Sequence, residues 1–208
     1  MSNNTADTSV VDAVPASDSA AKRLTGDERR REILAAVRTV SSELGVSHLS
    51  VSAVAKRAGC TRSLFYHYFE DKEAVADAVL DNVIDEILTT LKQWNQARET
   101  GNVNKALDDI VHVLRSLIAD ESPFSNRMIQ DGNAELYIKF IDRAADRIAD
   151  YIAQTTVRDF EQMHGLPITN VHETFFTLIV GLISLIRSHP NISDRTIKEV
   201  MAQTLHIE

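Results

Sequence analysis

The chain has 208 residues, of which 44% are hydrophobic and 25% charged, enough to bury a sizeable core. A single cysteine, Cys60, excludes an internal disulfide framework, and no paired Cys/His spacing suggests a structural zinc, so a reducing cytosol is the expected compartment. The formal charge of −8 argues against a general affinity for polyanions, but residues 22–72 hold ten basic side chains against six acidic ones. A basic head on an acidic body orients a molecule at a nucleic acid by attraction at one end and repulsion at the other.

Residues 1–21 are small and polar around Pro15 and carry no basic-then-apolar leader; they read as a disordered tail. From about Gly26 to Leu44, Ile33, Leu34, Val37, Val40 and Leu44 recur at helical spacing, and Gly45 ends the run. Ser50 can cap a short helix with Val51, Val54, Ala55 and Ala58 on its apolar side, stopped by Gly59. Thr61 can cap a third helix to about Tyr68, and Asp71 a fourth running from Lys72 towards Trp94. Beyond Gly101, helices are expected near 103–119, 123–130, 134–163, 169–188 and 193–206, punctuated by Pro123, Gly132, Gly165, Pro167 and Pro190. Few stretches alternate with period two, so the fold class is all-α, divided into a tail (1–21), a head (22–71) and a larger body (72–208).

Two short helices joined by a glycine turn, the second opening with a small hydroxyl residue and a basic one, have the helix-turn-helix pattern that sets the second helix in a DNA major groove. Ala55 and Ala58 permit close packing of the two, and Gly59 supplies a residue tolerant of φ > 0. Phe65 and Phe69 are expected to turn inward, Tyr66 and His67 outward. The segment SVSAVAKRAGCTRSLFYHYFEDKE, Ser50 to Glu73, resembles the DNA-binding signature of the TetR family of regulators. The remaining two-thirds resembles that family only in length and helical layout. The resemblance implies a homodimeric repressor that occupies a palindromic operator on double-stranded DNA and leaves when a small-molecule effector binds the body. By position it implies phosphate contacts for Ser50, Thr61, Tyr66 and Lys72, and contacts to bases or nearby phosphates for Arg62, Ser63 and His67. Cys60 and Ser63 depart from the commonest pattern, which has valine and glycine there.

Other readings stand beside these. Cys60 is either a thiol sensor favoured by Arg62 or a small apolar plug, and Lys22 and Arg23 are either a minor-groove arm or the end of a solvated tail. Asp142, Asp146 and Asp150 share a helix face and suggest a cation site, against which the i,i+3 pairs Arg143–Asp146 and Arg147–Asp150 offer a charge-laced exposed face. The body histidines, among them His112, His164, His172, His189 and His206, have no clamp spacing, so no metal is expected. No nucleophile elbow or phosphate loop points to an enzyme, and no cofactor is implied. Trp94, His112, Phe124, Met128, Tyr137, Phe140 and Phe176 fall on helices that in the family enclose the effector. The apolar run Phe175 to Ile186 is short for a membrane span and reads as a covered helix. Phe175, Leu178, Ile179, Leu182 and Ile186, with the helix from Ser193, are expected to form a four-helix bundle across a two-fold axis. An adaptor that has kept the fold without using its DNA head is the alternative function.

Overall fold

The computed structural model describes residues 25–44, 49–119, 134–163 and 168–207. The tail, Lys22, Arg23, His164 and the expected helix near 123–130 with Phe124 and Met128 lie outside the described residues, as does the side chain of Lys72. The described residues form helices and no strands: α1 (Gly26–Leu44), α2 (Val51–Arg57), α3 (Arg62–Tyr68), α4 (Lys72–Ala97), α5 (Val103–Ala119), α6 (Ala134–Ile152), a π-helical turn (Ala153–Val157), α7 (Arg158–Met163), α8 (Val171–Ser188) and α9 (Asp194–Thr204).

Local chemistry fixes the early boundaries. Thr25 and Glu28 form a capping box: the Thr25 amide donates to Glu28 Oε2 at 2.8 Å, and the Glu28 amide to Thr25 Oγ1 at 3.3 Å. Asp71 Oδ1 accepts from the Ala74 amide at 2.7 Å and starts α4 where the sequence places it. The expected boundary between head and body coincides with this cap, yet the core runs through it. Ile33 and Val37 of α1, Val54 of α2, Phe65 of α3, Val75, Val79 and Ile84 of α4, and Phe140 and Ala145 of α6 belong to one buried cluster. A second cluster joins α5, α8 and α9 through Val111, Leu178, Leu182, Ile186, Ile197 and Met201.

Three findings depart from the sequence reading. First, the helix over 134–163 has the expected extent but is not α-helical throughout: a π-helical turn lies within it, with Thr155 Oγ1 donating to the Tyr151 carbonyl at 2.6 Å and Thr156 Oγ1 to Asn95 Oδ1 at 2.8 Å. Second, Leu178, Ile179, Leu182 and Ile186 are buried within the chain itself. A helix apolar nearly all round needs cover on several sides, and α5, α6 and α9 of the same chain provide it, so these four do not present a face to a partner. The outward stripe of α8 is Thr177, Gly181, Ser184 and Ser188, where a Cβ added to Gly181 meets nothing. The whole of Val171–Ser188, with a mean hydropathy of 1.4, is long and apolar enough to cross a membrane by length and composition only, a test that a core helix also passes; the apolar run within it, Phe175 to Ile186, is the shorter stretch.

Third, Arg143 and Arg147 pair across helices, in place of the expected pairs along their own. Lys139 Nζ lies 2.6 Å from Asp77 Oδ1, Arg143 3.3 Å from Asp77 and 3.4 Å from Asp81, and Arg147 2.6 Å from Asp85. Each partner recurs at i,i+4, and the numbers rise together along both helices, so α4 and α6 run parallel with a ladder of ion pairs between them. Asp146 and Asp150 instead flank His172 Nε2 of α8, at 3.3 and 3.5 Å. No cluster of metal-binding side chains occurs among the described residues.

The hydrogen bond from Lys139, with the charge of Arg143 behind it, holds the Asp77 carboxyl below its usual range against a smaller opposing effect of burial. A depressed carboxylate stabilises the fold at neutral pH, and that contribution disappears as the pH falls through its lowered pKa. Asp77→Asn should therefore melt below wild type at pH 7, by up to about 1 kcal/mol because the rung is partly exposed. The gap should begin to narrow below the ordinary aspartate pKa of about 3.9 and close only below the lowered value of Asp77, so it should be smaller at about pH 3 than at pH 7. Melting curves at both values check this, and a gap just as wide in acid would assign the effect to packing.

Candidate nucleic-acid interface

Helices α2 and α3 are set by two hydroxyl caps and one glycine. Ser50 Oγ accepts from the Ala53 amide at 3.2 Å and Thr61 Oγ1 from the Leu64 amide at 3.1 Å. Each hydroxyl accepts within its own helix, which leaves its proton free to be donated outward to a phosphate oxygen. Between the helices, Gly59 sits at φ +61°, and the Cys60 amide reaches back to the Ala55 carbonyl at 2.9 Å. A side chain at Gly59 would find open space but a strained backbone.

On α3 the expected division of faces is what the structure has. Phe65 and Phe69 are buried, their ring centroids 5.7 Å apart, and Leu64 and Tyr68 are half-buried. Thr61, Arg62, Ser63, Tyr66 and His67 are exposed together at the start and along the outer side of the helix. Tyr66 is 49% exposed although its ring stands edge-on to Phe65, so the phenol is presented outward on a fixed base. The backbone of Lys72 opens α4 one residue after its cap.

Charge is more concentrated than the sequence count suggests. Arg29 pairs with Glu32 at 2.8 Å, Arg57 with Glu43, and Arg38 with Glu86. Arg30 lies over the Phe69 ring at 5.2 Å. Arg62 makes no ion pair with a described residue, and neither does Lys56, exposed in the last turn of α2. Lys56 was not among the residues the motif singled out, because a lysine in a helix's last turn reads simply as a partner of the helix dipole. Cys60 packs half-buried against the core, and burial pushes its thiol pKa up; Arg29 and Glu32, not Arg62, are the charges that act on it. A raised thiol pKa favours the apolar plug over the sensor.

The body holds a largely apolar cavity of about 390 Å³ between α4, α5, α6 and α8. Phe140, Val83, Ile87 and Ile179 line it, with Thr90, Arg38 and Glu86 as polar members. Of the expected effector residues that are described, only Phe140 lines this cavity, whereas Trp94 lines a separate chamber of about 120 Å³. His112 is corrected: its side chain is 71% exposed and lies 3.8 Å from Asp194. Tyr137 stacks under the Arg187 guanidinium at 5.1 Å, where burial raises its hydroxyl pKa, and it lines neither space. Phe176 packs half-buried on the main core and also lines neither.

Residues 33–79, from within α1 to the first turns of α4, match the model of the tetR family of bacterial regulatory proteins. The HTH-type transcriptional regulator EthR of Mycobacterium tuberculosis is 39% identical over 64 residues, 31% of this chain and 30% of that protein. The HTH-type transcriptional regulator BetI of Klebsiella pneumoniae is 25% identical over 83 residues, 40% of this chain and 43% of that one. The chain thus spans less than half the length of these curated relatives. Whole-fold likeness is wider: a TetR transcription regulator from Haloarcula marismortui superposes with a TM-score of 0.61 at 13% identity, covering 86% of this chain and 97% of that one. RolR, solved in complex with resorcinol, gives 0.57 at 19% identity, covering 88% and 89%. Residues 33–79 thus carry the match to the tetR family of bacterial regulatory proteins, and the likeness of the rest of the chain to solved TetR regulators is one of fold.

Proposed function

We propose that this chain is a sequence-specific DNA-binding transcriptional regulator, a repressor acting in the cytoplasm as a homodimer on a near-palindromic operator. The observation that carries the reading is the outer face of α3, where Thr61, Arg62, Ser63, Tyr66 and His67 are exposed together above a buried Phe65. In a dimer, two such helices enter successive major grooves about 34–36 Å apart. Thr61, Ser50, Tyr66 and Lys72 hold phosphates, while Arg62, Ser63 and His67 face base edges. The second copy packs on the outward stripe of α8, where Gly181 and Ser184 allow close approach, and on α9.

The effector of this reading is a small, largely apolar molecule in the 390 Å³ cavity. Arg38 gives it a route to the head: this α1 side chain lines the cavity and donates to Asn82 Oδ1 at 3.3 Å and to Glu86, both on α4. A ligand that favours one arrangement of α1 on α4 biases the separation of the α3 helices, to the extent of its differential affinity for the two arrangements.

Selection of random duplexes by the purified protein, followed by a salt titration on the winner, tests this. The expected result is an enriched near-palindrome whose affinity falls steeply with salt. No enrichment at low salt from a folded, dimeric, ligand-free preparation would favour an adaptor that uses the body alone.

A further inference from the structure

Three arginines in a row stand near the start of α1, and the structure gives each a different place. Arg29 is held by Glu32, 2.8 Å away, on the side of the helix from which its charge acts on Cys60, just before α3. Arg31 Nε donates to the Asp27 carbonyl at 3.3 Å, within α1 itself. Arg30 leans towards the other end of α3, its guanidinium 5.2 Å from the centroid of the Phe69 ring, at the corner where α3 gives way to α4. The first turn of α1 abuts the same corner: a Cβ added to Gly26 would lie 3.8 Å from the Tyr68 hydroxyl. Arg30 is exposed and makes no hydrogen bond or ion pair with a described residue, although Glu70 and Asp71 follow Phe69 directly. Asp71 is taken by the Ala74 amide at 2.7 Å. As cover for Phe69 a hydrocarbon would serve. A guanidinium placed there keeps its N–H donors free while the ring limits where it can go, and a restrained fork of donors suits a phosphate.

We propose that Arg30 is a further phosphate-contacting residue of the DNA interface, reaching the backbone of the duplex from α1 at the corner that leads to Lys72. The inference rests on the DNA-binding reading and adds to it a cation from a helix outside the helix-turn-helix. Glu70 and Asp71 set two negative charges at this corner, next to the Lys72 backbone, and would by themselves repel a phosphate brought to it. Arg30 offsets them at the point of approach. The contact fixes position and carries no base preference, so it adds to affinity on every sequence alike.

The test uses the full chain, the duplex it selects and a scrambled duplex of equal length. Arg30→Met keeps an apolar cover on Phe69 and removes the charge; Arg30→Lys keeps the charge and loses the fork. With one phosphate lost per subunit, the slope of log affinity against log salt should be shallower by about 2 in Arg30→Met, and affinity in about 0.1 M salt should fall roughly tenfold or more on both duplexes. The selected site pattern and the melting temperature should stay as in wild type, and ethylation interference should lose one phosphate in each half-site. Arg30→Lys should restore the slope. An unchanged slope in Arg30→Met would overturn the proposal. So would a loss of affinity that comes with a lowered melting temperature and is not repaired by Arg30→Lys, the mark of a lid on Phe69 and nothing more. Failure of the wild-type protein to bind either duplex would sink the DNA-binding reading itself, and this contact with it.

Discussion

Phe65→Ala should lower the melting temperature of the whole protein by on the order of 10 °C and take specific duplex binding with it. The ring is 1% exposed, with Tyr66 edge-on to it and Phe69 tilted against it. It belongs to the cluster in which Ile33 and Val37 of α1, Val54 of α2 and Val75 and Val79 of α4 also take part. Truncating a buried phenylalanine costs about 3–5 kcal/mol, the lost burial plus the cavity left behind. For a chain of this size each kcal/mol is roughly 2–4 °C. Because the cluster continues into the body through Ile84 and Phe140, a single shifted transition is expected, not an early melt of the head alone. Circular dichroism and operator binding on the same preparations test it. A melting temperature within a degree or two of wild type would mean that α3 is held by something other than this ring.

Arg62→Ala should leave stability nearly untouched and act on recognition. The side chain is exposed at the first position of α3 and makes no ion pair with a described residue. A base-reading arginine is worth about 1–3 kcal/mol of discrimination, so affinity for the preferred duplex should fall between roughly fivefold and 150-fold. Preference should relax at one position in each half-site, while the slope of affinity against salt changes little. Repeating the duplex selection with the variant decides the matter, since an unchanged site pattern with a shallower salt slope would reassign Arg62 to the phosphate backbone.

The head was legible in the sequence because its boundaries are written in side chains that act locally. Ser50, Thr61 and Asp71 each bond an amide three residues on, and Gly59 takes the one conformation other residues avoid. The Thr25–Glu28 capping box is equally local, but the apolar run after it is the stronger signal in the sequence and hides it. What stayed hidden depends on neighbours distant in sequence. Arg143 and Arg147 have acids at i+3, so a pairing along the helix is the natural reading until α4 is seen alongside. Leu178 and Ile186 sit on a helix so evenly apolar that its sequence does not say which side faces the chain's own core. The cavity candidates failed for a related reason: an aromatic side chain announces burial but not what it is buried against, so Phe140 and Trp94 end in different spaces and Tyr137 in neither.

The ladder between α4 and α6 bears on how the body can move the head. Its rungs repeat every four residues on both helices, a spacing of about 6 Å along the axis. Sliding α4 along α6 by a fraction of that distance would stretch the Lys139–Asp77 and Arg147–Asp85 rungs, while Arg143, set between Asp77 and Asp81, would keep one partner, and a full repeat would bring carboxylates opposite cations again. The two helices therefore meet in a detent, a potential with evenly spaced wells, in which small creeping shifts are opposed although each rung by itself is weak. The seam ties the start of α6 to α4 within two turns of the Asp71 cap, so a shift of α6 is passed to the head side of α4 more readily than a slip between the two helices.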